Sequence, residues 1–309
     1  MAAYLLRRFL QAVVAIFGVM TLIFFVQRLT GDPTYLLVPE TATKADIEAM
    51  RVSLGLDRPL IVQYLSFLWG ILHLDFGRSY VQNVPVMTII AARLPYTLEL
   101  TAGALAVAAL IGVPLGIATA MWRGRSQARG LMGFVLAAQS MPTFWSGILM
   151  MMVFGVWLGW LPPSGAGGWK NLIMPSVALG LLSMATFARV ARTAVLDELS
   201  KDYIRSARAR GVSTGRLVRR HLLRNASIPV ISISAMEISQ LLAGAVIVET
   251  VFAWPGLGLL TIQSITGRDF MVVQTIVLLG AFVTITLNFL ADLLYTVVDP
   301  RIRLTGTPG

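Results

Sequence analysis

Cysteine is absent from the 309-residue chain. A disulfide framework and a thiolate metal site are therefore excluded. Histidine occurs only at His73 and His221, too far apart in sequence for a His-based zinc motif. Charge is scarce: 13% of residues are Asp, Glu, Lys or Arg, where soluble domains carry roughly 25%. A Gly-x-x-x-x-Gly-Lys-[Ser/Thr] phosphate loop is missing too, so any ATP-derived energy must come from another chain. Nor is there a cluster of nucleophile, base and acid to suggest a membrane enzyme. What is present is apolar. Hydrophobic types make up 56% of the residues and mean hydropathy is +0.76, which is the composition of an integral membrane protein. The formal charge of +10 sits beside apolar runs. That pattern reads as the positive-inside signature and not as a nucleic-acid footprint.

The chain begins with a short segment ending in Arg7-Arg8, followed by an apolar run from Phe9 to Val26. It is long enough to span and no small-x-small cleavage site follows, so it reads as an uncleaved first span. Residues 30–95 hold six acids, five bases and five prolines, and read as a folded extramembrane segment. Within it, Thr43 to Val52 suggests a short helix, and Leu60 to Leu74 an amphipathic run too short to span. Further spans are expected near 97–122, 131–158, 172–195, 228–250 and 272–298. The second carries Gly112-x-x-x-Gly116, a spacing that lets helices approach closely in lipid. The third carries Gln139-Ser-Met-Pro142, where a kink or unwinding is expected. The fold class is thus all-α integral membrane with six transmembrane helices. Its divisions are 1–29, the extracytoplasmic segment 30–95, a five-helix core 96–298 with a loop at 196–227, and a tail 299–309. With the N-terminus inside, seventeen of the 25 Lys and Arg fall on inner segments, which places both termini and the 196–227 loop in the cytoplasm.

That loop is the chain's most polar stretch, with eight bases against three acids from Asp197 to Asn225. Ser200 is a plausible N-cap for a helix that stops at Gly211. Ala207 and Gly211 leave one face nearly bare beside Tyr203. A second helix capped by Ser213 would line up Arg216, Arg219, Arg220 and Arg224. Charge alone also suits a basic helix lying on anionic headgroups. The bare face is better explained by a helix offered to the groove of a soluble partner.

Asp202-Tyr-Ile-Arg-Ser-Ala-Arg-Ala-Arg-Gly211 with His221-Leu-Leu-Arg-Asn-Ala-Ser-Ile-Pro229 resembles the cytoplasmic coupling loop of ABC importer permeases, in the dipeptide, oligopeptide, glutathione and nickel branch. Arg205 and Ser206 replace the generic Glu-Ala, whereas Ala207 and Gly211 are kept. Matching stretches run along the chain: Gly31-Asp-Pro33, Leu54-Gly-Leu-Asp-Arg-Pro59, Asp75-Phe-Gly-Arg-Ser79, Arg93-x-Pro-x-Thr-Leu-Glu99, Glu249-Thr-Val-Phe-x-Trp-Pro-Gly-Leu-Gly258 and Asp299-Pro-Arg-Ile-Arg303.

The resemblance implies a type I permease fold. It implies a non-catalytic subunit of an ATP-driven, binding-protein-dependent importer for di- or oligopeptides or glutathione, in a bacterial inner membrane. Its partners would be membrane lipid, a second homologous permease (a heterodimer), one or two cytoplasmic ATPase subunits that bind ATP and Mg, and an extracytoplasmic binding protein. The chain itself would hold no cofactor or metal. Contact with the ATPase falls to Tyr203, Ile204, Arg205, Ser206, Ala207, Arg208, Ala209 and Gly211. A nickel-chelate or opine importer of the same branch is the alternative. A stand-alone secondary transporter or channel would need an internal repeat and more intramembrane charge than the sequence has.

Polar residues inside spans are candidates for the solute pathway. Ser232, Met236, Glu237, Ser239 and Gln240 in the fifth span lead, with Glu237 foremost; Gln139, Ser140 and Met141 are weaker. The bland alternative is that these groups tie helices together, the role expected of Glu99 and Asp292. In this branch Glu249, Trp254, Pro255 and Gly256, with Asp32 at the mouth of the first span, belong to the outer gate or docking region. A tight external turn with an aromatic anchor is the simpler alternative there. Residues 30–95 read as a cap, a dock or a spacer.

Overall fold

A computed structural model describes residues 2–29, 34–38, 41–217 and 223–298. Among these the chain is helical, apart from one isolated bridge between Arg78 and Pro85. Five helices are long and apolar enough to cross a membrane, or six if one bent pair counts as a single span. Contacts divide the chain into two units, Met1–Pro95 with Leu260–Thr286, and Tyr96–Leu259 with Leu287–Gly309.

In the first unit, α1 (Ala2–Leu29) is followed by α2 (Thr34–Leu37), α3 (Lys44–Ser53) and α4 (Leu60–Leu72). The expected short helix is α3. Thr43 and Asp46 close a reciprocal capping box at its start, and the Thr43 hydrogen bonds hold the Asp46 carboxyl below its usual range. The amphipathic run is α4, which lies against α1. Phe24 is almost fully buried and meets Tyr64 edge-on at 5.2 Å and Phe67 at 5.6 Å. The Thr21 and Tyr64 hydroxyls are 2.6 Å apart. Much of the rest of α1 is exposed Leu, Val and Phe, a surface suited to lipid.

The second unit is built around α8 (Trp169–Leu199), which buries residues along nearly its whole length. Helix α5 (Val86–Met121) is 36 residues long. It begins eleven residues before the expected span, because the helix runs on past the apolar stretch through Arg93 and Pro95. Its second half packs on α8 through bare backbone. A Cβ at Gly116 would stand 2.8 Å from the Ala191 Cβ and 3.0 Å from the Arg192 amide nitrogen. Gly112 meets the Met184 carbonyl and Phe187 just as closely. These glycines admit the neighbouring helix, as their spacing suggested.

The segment expected as the third span is a bent pair of helices. Helix α6 (Ser126–Ser140) and α7 (Thr143–Met150, continued as π-helix over Met151–Trp157) meet at 100°. Met141, between them, is extended, as the residue before a proline prefers. The polar loop forms α9 (Asp202–Ala209) and α10 (Thr214–Leu217). It is followed by α11 (Leu223–Val251), α12 (Leu257–Thr266) and α13 (Phe270–Val298).

Candidate functional site

Helix α8 runs on to Leu199, so the first four residues of the loop expected at 196–227 are helical. Ser200 does not cap α9 as expected. It closes α8 instead, its hydroxyl donating to the Asp197 carbonyl at 2.7 Å. Glu198, in the last turn of α8, is 5% exposed. Its carboxylate accepts from Lys201 Nζ at 2.5 Å and from the Tyr203 hydroxyl. One buried acid thus ties the first turn of α9 to the end of α8. Sequence reading did not single out Glu198; its signal was an acid at a helix end just before a Lys and a Tyr.

The faces of α9 correct one expectation. Ile204 and Ala207 are buried in the chain's own core with Ala120, Val195 and Leu217. The small residue therefore admits the chain's own helices, and does not leave a vacancy for another protein. Tyr203, Arg205, Ser206, Ala209, Arg210 and Gly211 are exposed, so they form the face open to a second chain. The Asp202–Arg205 ion pair at 2.7 Å lies fully on that surface, where such pairs contribute little. Gly211 ends the helix as expected, with φ +77°. The Val212 N–H donates back to the Ala207 carbonyl at 3.2 Å, the six-to-one bond of a Schellman stop. A Cβ at Gly211 would meet nothing within 4 Å, so the glycine serves the backbone angle and not a close approach. The side chains of Arg208, Arg216, Arg219, Arg220 and Arg224, like His221, lie outside the described residues.

The connection from α8 to α11 is a hairpin, so the far ends of these helices meet at the opposite side of the core. There Glu249 is completely buried. Its Oε1 accepts from the Thr97 hydroxyl at 2.7 Å, and its Oε2 from the Gly258 and Leu259 N–H groups at 2.6 and 3.1 Å. Those are the orphan donors of the first turn of α12, where a helix end favours negative charge. Thr97 Oγ1 also accepts the Leu257 N–H at 2.8 Å, and the Trp254 indole donates to the Tyr96 carbonyl at 2.8 Å. A side chain at Gly256 would run into the Glu249 carboxylate. Glu249, Trp254 and Gly256 are thus brought together, and Thr97 joins them unforeseen. Asp32 lies outside the described residues.

The intramembrane residues divide by exposure. A pathway between two subunits is lined by groups that each subunit leaves open. Met236 and Gln240 are exposed; Ser232, Glu237 and Ser239 are buried. Glu237 therefore faces the core of its own unit. Glu99, expected to bond between helices, is exposed instead, on one α5 face with Ala102 and Ala106. The Asp292 side chain is outside the described residues. Gln139 pins the α6–α7 bend to α8: it donates to the Leu182 carbonyl at 3.2 Å and accepts from Arg189 at 3.0 Å. The Ser140 hydroxyl turns back to the Leu136 carbonyl at 2.9 Å.

The chain is similar to known proteins over nearly its whole length. The family "Binding-protein-dependent transport system inner membrane component" matches residues 112–304, and the N-terminal region of the same kind of membrane component matches residues 1–101. The glutathione transport system permease protein GsiC of Salmonella typhi is 42% identical over 304 residues, covering 98% of this chain and 99% of the relative. A Brucella abortus (strain 2308) chain, provisionally named a peptide transport system permease protein, is 38% identical over 312 residues, with the same coverage. An inward-facing structure of the MetNI methionine ABC transporter superposes with a TM-score of 0.58 at 22% identity, covering 69% of this chain and 97% of that one. This likeness is one of fold.

Proposed function

Because the chain belongs to the family of binding-protein-dependent transport system inner membrane components, we propose that it is the peptide-type permease of its importer, carrying short peptides, glutathione among them. It is a multi-pass permease subunit and not itself an enzyme. The named relatives support the peptide-type solute; a nickel chelate or an opine is the alternative within the same branch. In this reading the chain pairs with a second, related permease. One or two kinds of ATPase subunit bind ATP and Mg beneath it, and a solute-binding protein docks outside. Both termini and the α9 loop are cytoplasmic. Glu99, Met236 and Gln240 line the pathway, while Glu249, Trp254 and Pro255 brace the outer end.

The observation that carries the coupling role is the two-sided α9. Its inner residues, Ile204 and Ala207, are fixed in the core, and Glu198 holds its first turn. A push on the outer face is therefore transmitted to α8 without slack. The native chain has no cysteine, so single thiols can be placed at will. In the assembled transporter, Arg205→Cys and Ala209→Cys should cross-link to a cysteine-bearing groove of the ATPase, and Ile204→Cys should not. A failure of both outer positions to cross-link, in a complex that still turns over ATP, would refute the coupling assignment. For the solute, uptake by the whole transporter should be competed by glutathione and by di- to pentapeptides. If only a nickel chelate competes, the peptide reading is wrong.

A further inference from the structure

The first unit encloses a cavity of about 730 Å³ that the transport reading leaves unused. Its wall includes three guanidinium groups, Arg28, Arg58 and Arg78, against one carboxylate, Asp75, together with Gln63 and Gln274. The Gln63 amide nitrogen donates to the Leu56 and Arg58 carbonyls at 3.0 and 2.7 Å. That fixes the orientation of the amide and leaves Oε1 buried with no partner among the described residues. Gln274 Oε1 is buried and unpartnered in the same way. Buried acceptors in this condition are costly. Tyr80 closes another part of the wall; burial pushes its phenol up, and the nearby Arg28 guanidinium opposes that shift. The cavity thus offers guanidinium groups to an anion and two waiting acceptors to N–H or O–H donors.

Its position narrows the ligand. The apolar part of α1 ends at Val26 and that of α13 begins at Phe270. Arg28 and Gln274 are therefore at the membrane boundary, the depth of lipid headgroups. A second hollow of about 300 Å³ opens beside it, lined by Leu22, Val26, Ile265, Phe270 and Val277, and again by Gln274. A cavity with a polar wall and an apolar groove that share one residue at this depth match a molecule with a phosphodiester head and a hydrocarbon tail. Guanidinium pairs well with phosphate oxygens. An ethanolamine ammonium or a glycerol hydroxyl supplies the donors that the glutamines lack.

We propose that this unit binds one phospholipid of the outer leaflet, with a phosphodiester head bearing an amino or hydroxyl donor at Arg28, Gln63 and Gln274 and one acyl chain in the groove. The lipid would seal α1 against the start of α13 and satisfy the two glutamine acceptors between them. A free phosphodiester carries the same head chemistry without the tail, so the test must separate the two.

Native mass spectrometry of the assembled transporter, extracted from membranes containing phosphatidylethanolamine, phosphatidylglycerol and cardiolipin, should show one phosphatidylethanolamine or phosphatidylglycerol held per copy after delipidation. Arg28→Gln with Gln274→Leu should lower that occupancy at least tenfold. Val273→Trp, which fills the groove and leaves the polar wall intact, should do the same in a complex that still assembles. Lys170→Gln, away from the cavity, should retain the lipid. Reconstitution with glycerophosphoethanolamine as competitor supplies the other arm. Displacement of the lipid at equal concentration by this tail-free head would overturn the proposal in favour of a small-anion site. It would also fall if wild type and both variants kept the same lipid count, or if the variants lost affinity for the binding protein with no change in lipid.

Discussion

Three carboxylates within the second unit show how placement decides the work of a residue. Glu249 is a brace: it holds two N–H donors at the start of α12 and the Thr97 hydroxyl. Glu249→Leu would strand those donors, at about 1–3 kcal/mol each. Glu249→Gln keeps one acceptor for the two N–H groups; it loses the charge at the helix end, about 0.3–2 kcal/mol, and the second acceptor, which served the Thr97 hydroxyl. Glu237 is enclosed in its own subunit, and Glu99 is open. One variant series separates the three. Thermal unfolding of the purified transporter should drop furthest with Glu249→Leu and much less with Glu249→Gln. Uptake across a panel of peptides should change its order of preference with Glu99→Gln and keep it with Glu237→Gln. An altered preference from Glu237 alone would return that residue to the pathway and remove Glu99 from it.

At the scale of elements, α9 is a short helix whose stability depends on its neighbours. Eight residues are too few to hold helical form in water alone, so the buried Ile204–Ala207 side and the Gly211 stop do that work. The two small residues are then needed for different reasons. Ala207→Leu overfills a packed site, at about 1–3 kcal/mol, and lifts α9 off α8. Gly211→Val forces a β-branched residue to φ +77°, where an L-residue pays about 1–2 kcal/mol, while Gly211→Asn is tolerated better. All three variants should insert into the membrane. Solute-stimulated ATP hydrolysis should fall about tenfold in Ala207→Leu, fall less in Gly211→Val, and remain near wild type in Gly211→Asn. Equal losses for Asn and Val would mean that Gly211 is required for space at an interface.

These elements also show what the sequence could tell. The Gly211 stop, the Pro142 bend, the Thr43 cap and the close glycines of α5 were legible because each follows from local stereochemistry. The facing of a polar residue was not. Helical spacing shows which residues share a side but not which neighbour covers it, so Glu237 and Glu99 changed places and the Ala207 side proved to be inward. Ser200 misled because a serine between two helices suits the end of one and the start of the next equally.

For the whole molecule, sidedness is the property that composition argues most strongly. Seventeen of 25 basic residues fall on one set of connections, and cationic loops are retained on the cytoplasmic face during insertion. The helix order agrees with this. Hairpin geometry sets the α8–α9–α11 turn opposite to Glu249 and Trp254, and the first unit's loop at Asn83 follows an odd number of spans. Single cysteines in the otherwise thiol-free chain make the argument testable. Asn83→Cys, at an exposed position, and Gly165→Cys, at a half-buried one in the connection before α8, should react with a membrane-impermeant maleimide in intact spheroplasts. Ser213→Cys and Arg125→Cys should react only once the membrane is opened. The last pair is the more demanding, because Arg125 lies at the start of the bent α6–α7 segment and Ser213 just after α9. If α6 and α7 formed a re-entrant hairpin and not a crossing, Arg125 and Gly165 would label from the same side. The bent pair would then no longer count as a span, and the five remaining crossings would put the two termini on opposite faces.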